Sequence, residues 1–71
     1  MARSLNFRQL EAFRAVMLTG GMTPGGKLLF ISQPAVTRLI RDLEADLGLA
    51  LFVRRHTQLV ATEEAHRLYR E

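Results

Sequence analysis

Apolar side chains return every three or four positions along the first part of the chain. Phe7, Leu10, Phe13, Val16 and Met17 fall on one side of a helix, while Arg8, Glu11 and Arg14 fall elsewhere. The pattern predicts a helix from Asn6 or Phe7 to about Leu18, stopped by Gly20 and Gly21, residues that accept the left-handed conformation ending many helices. Thr23 then offers a hydroxyl as N-cap with Pro24 at the first helical position, so a short second helix is expected through about Phe30. Ser32 and Pro34 repeat the device. The third helix they open runs to Leu47, ends at Gly48, and carries an apolar stripe of Val36, Leu39, Ile40, Leu43 and Leu47.

Beyond Gly48 the period changes. In "LALFVRRHTQLVAT", Leu51 with Val53 and Leu59 with Ala61 fit two short strands around a basic turn holding Arg54, Arg55, His56, Thr57 and Gln58. Thr62 caps a fourth helix whose first turn holds Glu63 and Glu64, placed favourably against the positive end of the helix dipole. Its apolar set is Ala65, Leu68 and Tyr69, a stripe narrow enough to pack either on this domain or on a second copy. No repeat, low-complexity stretch or linker interrupts the chain. Residues 1–61 are expected to form one mainly α-helical unit and residues 62–71 the start of a further helix, cut before it completes three turns.

Composition narrows what such a unit does. The chain has 71 residues, and a core of that size rarely supplies more than about 3–5 kcal/mol without help from packing quality or a partner. It has no cysteine, which excludes disulfides and thiolate metal sites and makes a cytoplasmic location the natural expectation. No apolar run approaches the roughly 20 residues that cross a bilayer, so no membrane partner is expected. Ten Lys and Arg against seven Asp and Glu leave a net charge of +3, which suits a polyanion. The excess lies towards the N-terminus, since residues 62–71 hold two basic and three acidic side chains.

One motif invites a different chemistry. "GMTPGGKLLF" contains the G-x-x-x-x-G-K spacing of a phosphate-binding loop, which requires a Ser or Thr after the lysine to hold magnesium and a strand before the first glycine. Leu28 follows Lys27, and a helix precedes Gly21, so neither requirement is met. Gly25 and Gly26 are better explained in the first turn of the second helix, where they allow close helix approach. His56 and His66 have no third ligand nearby, so no metal is expected. No cofactor site and no Ser-His-Asp constellation suggests itself, and an enzyme is not expected.

The third helix, "SQPAVTRLIRDLEADLG", separates its chemistry by face. Opposite the apolar stripe lie Pro34, Thr37, Arg38, Arg41 and Ala45, with Asp42, Glu44 and Asp46 on the flanks and in the last turns. Two helices joined by a tight turn, the second with a short polar and basic outer face, make a helix-turn-helix, and a basic hairpin after it makes the winged version. On that reading Gln33, Thr37 and Arg38 stand at base edges of double-stranded DNA. Thr23, Lys27, Ser32 and Arg41 bind phosphate oxygens, and Arg54 and Arg55 reach the adjoining minor groove. The rival reading is an interaction or dimerisation module whose basic charge serves only solubility.

"RQLEAFRAVMLTG", "SQPAVTRLIRDLEADLGLALFVRR" and the Ala61-Thr62 pair strongly resemble the N-terminal domain of LysR-type bacterial transcriptional regulators, in register from Leu5 onward. The opening stretch also resembles the regulators of opine and basic-amino-acid catabolism within that family. The resemblance implies a winged helix-turn-helix with Gln33, Pro34, Thr37 and Arg38 as recognition residues and Arg54 and Arg55 in the wing, dimerised through the fourth helix with Ala65, Leu68 and Tyr69 turned to the partner. It further implies a tetramer of the full-length regulator, acting on a dyad-symmetric operator, and an effector bound by a domain outside this chain. Two departures stand out: Gly25 and Gly26 where the family usually has alanines, and Glu64-Ala65 where it often has a small residue and glycine.

Overall fold

The computed structural model describes residues 6–71, so the first five residues of the unit expected over 1–61, Leu5 among them, lie outside the described residues. Helix α1 (Phe7–Thr19) begins at a reciprocal cap. Asn6 Oδ1 accepts from the Arg8 N–H at 2.7 Å, and Gln9 Oε1 accepts from the Asn6 N–H at 3.2 Å. Two donors that a helix start leaves unpaired are thereby satisfied. At the other end Gly20 adopts φ +89° and its N–H returns to the Val16 carbonyl at 2.8 Å, as the glycine pair predicted. Ala12, Phe13, Ala15 and Val16 are buried. Phe7, assigned to the same face, is 75% exposed at the first helical position.

Helix α2 (Met22–Leu29) starts earlier than Thr23 as a cap would allow. Gly21 is the N-cap, and Thr23 is an exposed residue inside the helix with no capping bond. The Gly21 carbonyl accepts from Gly25 N–H at 3.0 Å, and the Pro24 ring lies so close that a Cβ on Gly21 would stand 3.2 Å from Pro24 Cδ. That tight fold of the ring over a bare backbone displaces the start. Gly25 and Gly26 consequently lie in the helix interior, both buried, and not in its first turn. Their role is the predicted one of packing: a Cβ on Gly25 would be 3.1 Å from Val16 Cγ2, and one on Gly26 would be 2.6 Å from the Ile31 carbonyl oxygen.

The helix also stops one residue short of expectation. Phe30 is its left-handed cap, with φ +61° and ψ +39°, and the Ile31 N–H bonds the Gly26 carbonyl at 2.9 Å. A side chain other than glycine is strained there, and the Phe30 ring recovers nothing from packing, since it is 94% exposed.

Helix α3 (Gln33–Leu47) follows the sequence reading closely. Ser32 Oγ accepts from the Ala35 N–H at 3.3 Å, Pro34 sits in the first turn, and Gly48 closes the helix at φ +73°. Val36, Ile40 and Leu43 are fully buried, with Leu39 and Leu47 partly buried around them. They meet Phe13 and Val16 of α1 in a single core completed by Leu51 and Ala65.

Strands β1 (Phe52–Arg55) and β2 (Gln58–Ala61) form an antiparallel hairpin pairing Phe52 with Ala61 and Arg55 with Gln58. The expected inward pair of Leu51 and Val53 is displaced by one residue. Leu51 is buried but precedes the strand, Val53 is 38% exposed, and Phe52 turns inward to stand 6.0 Å from the Phe13 ring. The cause is tertiary: the Leu51 and Phe52 amides are both taken by one side chain of α3, which holds this end of the hairpin against the core. Arg54, Arg55 and Gln58 are strand residues, and the loop is His56-Thr57 alone, with His56 at φ +57°.

Helix α4 (Glu63–Arg70) is capped as predicted, Thr62 Oγ1 accepting from the Ala65 N–H at 3.1 Å. Ala65 is completely buried in this chain's own core, which corrects its assignment to a partner-facing stripe. Leu68 packs at the edge of the same core. Tyr69 stands edge-on to Phe13 at 6.2 Å and remains 41% exposed.

Two stability measurements follow. Gly26→Val inserts a branched side chain against a backbone carbonyl, and such overpacking costs about 1–3 kcal/mol, read as a fall in Tm. Phe30→Asn relieves a left-handed aromatic that buries nothing, so Tm rises, corresponding to about 1 kcal/mol.

Candidate nucleic-acid interface

Gln33, Pro34, Thr37, Arg38, Arg41 and Asp42 line one shallow depression on the outside of α3. Their spacing explains the grouping, because residues three and four apart on a helix are surface neighbours, and the buried stripe of Val36, Ile40 and Leu43 turns this face outward. Gln33 Nε2 donates to Thr37 Oγ1 at 2.7 Å, one helical turn away. The bond holds the Gln33 amide along the helix and leaves the Thr37 hydroxyl its own proton to donate. Arg38 and Arg41 are exposed.

The depression also contains a residue that the helical wheel kept aside. Asp42 borders it, one turn beyond Arg38, and marks the C-terminal limit of the positive surface. The other two acids have separate work. Asp46 Oδ2 accepts from Gln9 Nε2 at 3.3 Å, linking α3 to α1. Glu44 Oε2 accepts from the Leu51 N–H at 2.7 Å and the Phe52 N–H at 3.1 Å. Sequence reasoning missed this use of Glu44, although its position two turns after Thr37 on the same face was a legible signal.

The hairpin continues the surface. Gln33, Thr37, Arg41 and Glu44 face Phe52 and Arg54 across a second hollow between α3 and β1. Strand alternation places Arg54 on the α3 side and Arg55 on the opposite side of the hairpin. Arg54 Nη1 donates to the Thr57 carbonyl at 3.4 Å, which draws its guanidinium towards the loop.

The remaining residues singled out in the sequence flank this face. Thr23 and Lys27 are exposed and one turn apart on α2. Ser32 uses its oxygen as an acceptor in the cap of α3, and its hydroxyl proton remains free to donate. His56 lies in the hairpin loop and His66 on α4. Among the described residues no three His, Cys, Asp or Glu side chains stand together as metal ligands, and no helix is long and apolar enough to cross a membrane.

A tight two-helix unit with an outward polar face on its second helix, followed by a β-hairpin beside that face, is a winged helix-turn-helix domain. The family model for bacterial regulatory helix-turn-helix proteins of the lysR family matches residues 7–66, and the chain belongs to that family. It is 59% identical over 64 residues to the regulatory protein NocR of Agrobacterium fabrum, covering 90% of this chain and 21% of that protein. It is 51% identical over 67 residues to the octopine catabolism/uptake operon regulatory protein OccR of Rhizobium meliloti, covering 94% and 23%. The chain thus spans about one fifth of the length of these relatives.

Solved structures agree on the fold. The chain superposes on the CbnR DNA-binding domain, crystallised as a DNA complex, with a TM-score of 0.84 and 42% identity over 92% of this chain and 75% of that one. The BenM DNA-binding domain on the catB site 1 DNA gives a TM-score of 0.85 and 34% identity, covering 92% and 73%.

Because Gln33, Arg38 and Arg41 are exposed, they contribute little to the fold. Replacing each with Ala is expected to change unfolding free energy by no more than about 0.5 kcal/mol in urea titrations.

Proposed function

We propose that this chain is the sequence-specific, double-stranded DNA-binding part of a LysR-type transcriptional regulator. The observation that carries the reading is the convergence of Gln33, Pro34, Thr37, Arg38 and Arg41 on one outward depression of α3. A helix of this width fits the major groove, where a guanidinium reads guanine by two hydrogen bonds and amides or hydroxyls read neighbouring edges. Gln33, Pro34, Thr37 and Arg38 meet bases. Thr23, Lys27, Ser32 and Arg41 meet phosphates and fix the register.

Arg54, on the side of the hairpin that faces α3, and Arg55, on its other side, form the wing at the adjoining minor groove. Residues 1–61 act as the DNA-binding unit and residues 62–71 open the linker helix. Two copies dimerise beside Leu68 and Tyr69, the members of the stripe that stay at the surface, and place their α3 helices in successive major grooves of a dyad-symmetric site. In the full-length regulator these dimers pair into tetramers, and a further domain binds the effector. Such a protein works in the cytoplasm and catalyses nothing. The named roles of NocR and OccR and the DNA held by the CbnR and BenM domains support this reading.

Selection from a randomised duplex pool, with sequencing of the retained DNA, tests it directly. Arg38→Ala or Thr37→Ala costs about 1–3 kcal/mol on the selected duplex and relaxes base preference, whereas Lys27→Ala weakens all duplexes alike and lowers the salt slope by about one. Unchanged affinity in Arg38→Ala would remove the recognition assignment.

A further inference from the structure

The loop between α3 and the hairpin is held from two sides. On one, the Glu44 carboxylate takes both the Leu51 and the Phe52 N–H, at 2.7 and 3.1 Å. On the other, the Thr62 hydroxyl donates to the Ala50 carbonyl at 2.8 Å, and the Thr62 N–H donates to the Leu51 carbonyl at 2.9 Å. Three consecutive residues, 50–52, are thereby fastened to one side of α3 and to the start of α4.

The position of Glu44 on its helix is the second part of the observation. Residues 33, 37, 41 and 44 follow one another along a single face, and all four line the hollow between α3 and the hairpin. The last member of that row is turned inward to grip the root of β1. Arg54 lies two residues beyond Phe52 on the same side of the strand, about 7 Å along it. A two-stranded hairpin is marginal by itself, and charge-assisted bonds to a carboxylate are stronger and shorter than neutral ones. The distance between the Arg38–Arg41 surface and Arg54 is therefore set through Glu44.

We propose that Glu44 is a positioning residue for DNA recognition, acting through Arg54: its carboxylate fixes how far the hairpin arginine stands from the reading face of α3. The inference rests on the DNA-binding function proposed above. It assigns to a residue that touches no DNA the separation between the major-groove and minor-groove contacts.

A double-mutant cycle on a duplex selected by this chain tests the assignment. Affinities are measured for the unsubstituted chain, Glu44→Ala, Arg54→Ala and the double variant, with Tm recorded for each. Arg54→Ala is expected to weaken binding roughly tenfold in the unsubstituted background, within the range of one lost base-pair contact, and to have almost no effect once Glu44 is Ala. Glu44→Gln, whose single carbonyl oxygen can take the place of the Oε2 atom that accepts both amides, restores most of the Arg54 effect. If Arg54→Ala costs the same factor in both backgrounds, Glu44 serves the fold alone and the proposal is overturned. Should Glu44→Ala fold poorly, a Glu44→Leu cycle, which keeps side-chain bulk and removes the acceptor, decides by the same criterion of coupling against additivity. Failure of the unsubstituted chain to select any duplex would instead remove the DNA-binding reading itself.

Discussion

The contact of the α3 stripe with α1 governs the rest of the molecule. Val36, Ile40 and Leu43 lie fully buried on Phe13 and Val16, and burying each such side chain is worth about 1.5–3 kcal/mol. Because side chains leave a helix at fixed angles, seating this stripe also fixes the rotation of α3 about its axis. Gln33, Thr37, Arg38 and Arg41 then have no freedom to turn inward. The same contact that stabilises a small domain aims its candidate reading surface, so affinity and fold are linked through one helix without sharing side chains.

Around that contact the polar groups divide their labour. Arginines stay at the surface, and two of the three acids of α3 are spent on architecture: Asp46 reaches Gln9 on α1, and Glu44 holds the amides of Leu51 and Phe52. No buried side-chain polar atom among the described residues is left without a hydrogen-bond partner. Neither of these two acids lines the depression that holds Arg38 and Arg41. Asp42 is the exception, and it bounds the positive surface.

Close approach of backbone to backbone governs α2. Gly26 lies where a Cβ would meet the Ile31 carbonyl at 2.6 Å, and that proximity brings the turn at Phe30 tightly under the helix. The cost is twofold: glycine in a helix interior, and an aromatic residue in a left-handed cap. Both sit in the connection between α2 and α3, which orients the reading helix. Strain at this connection is tolerated because the core contacts on either side of it determine its geometry.

Periodicity, capping residues and glycines in the sequence determined the existence and order of all six elements, the ends of α3 at Ser32 and Gly48, and the outward face of Thr37, Arg38 and Arg41. Those features are local, since a 3.6-residue repeat and a side chain bonding its own helix end depend on neighbours in the chain. Tertiary structure alone decided the close seat of α2 on α1, where a Cβ on Gly25 would stand 3.1 Å from Val16 Cγ2. It alone decided the inward turn of Phe52 in place of Val53, because Glu44 claims the Leu51 and Phe52 amides. It also decided the burial of Ala65 in its own domain. Each of these depends on a group brought close from elsewhere in the fold, and a pattern of spacings along one chain contains no measure of that distance.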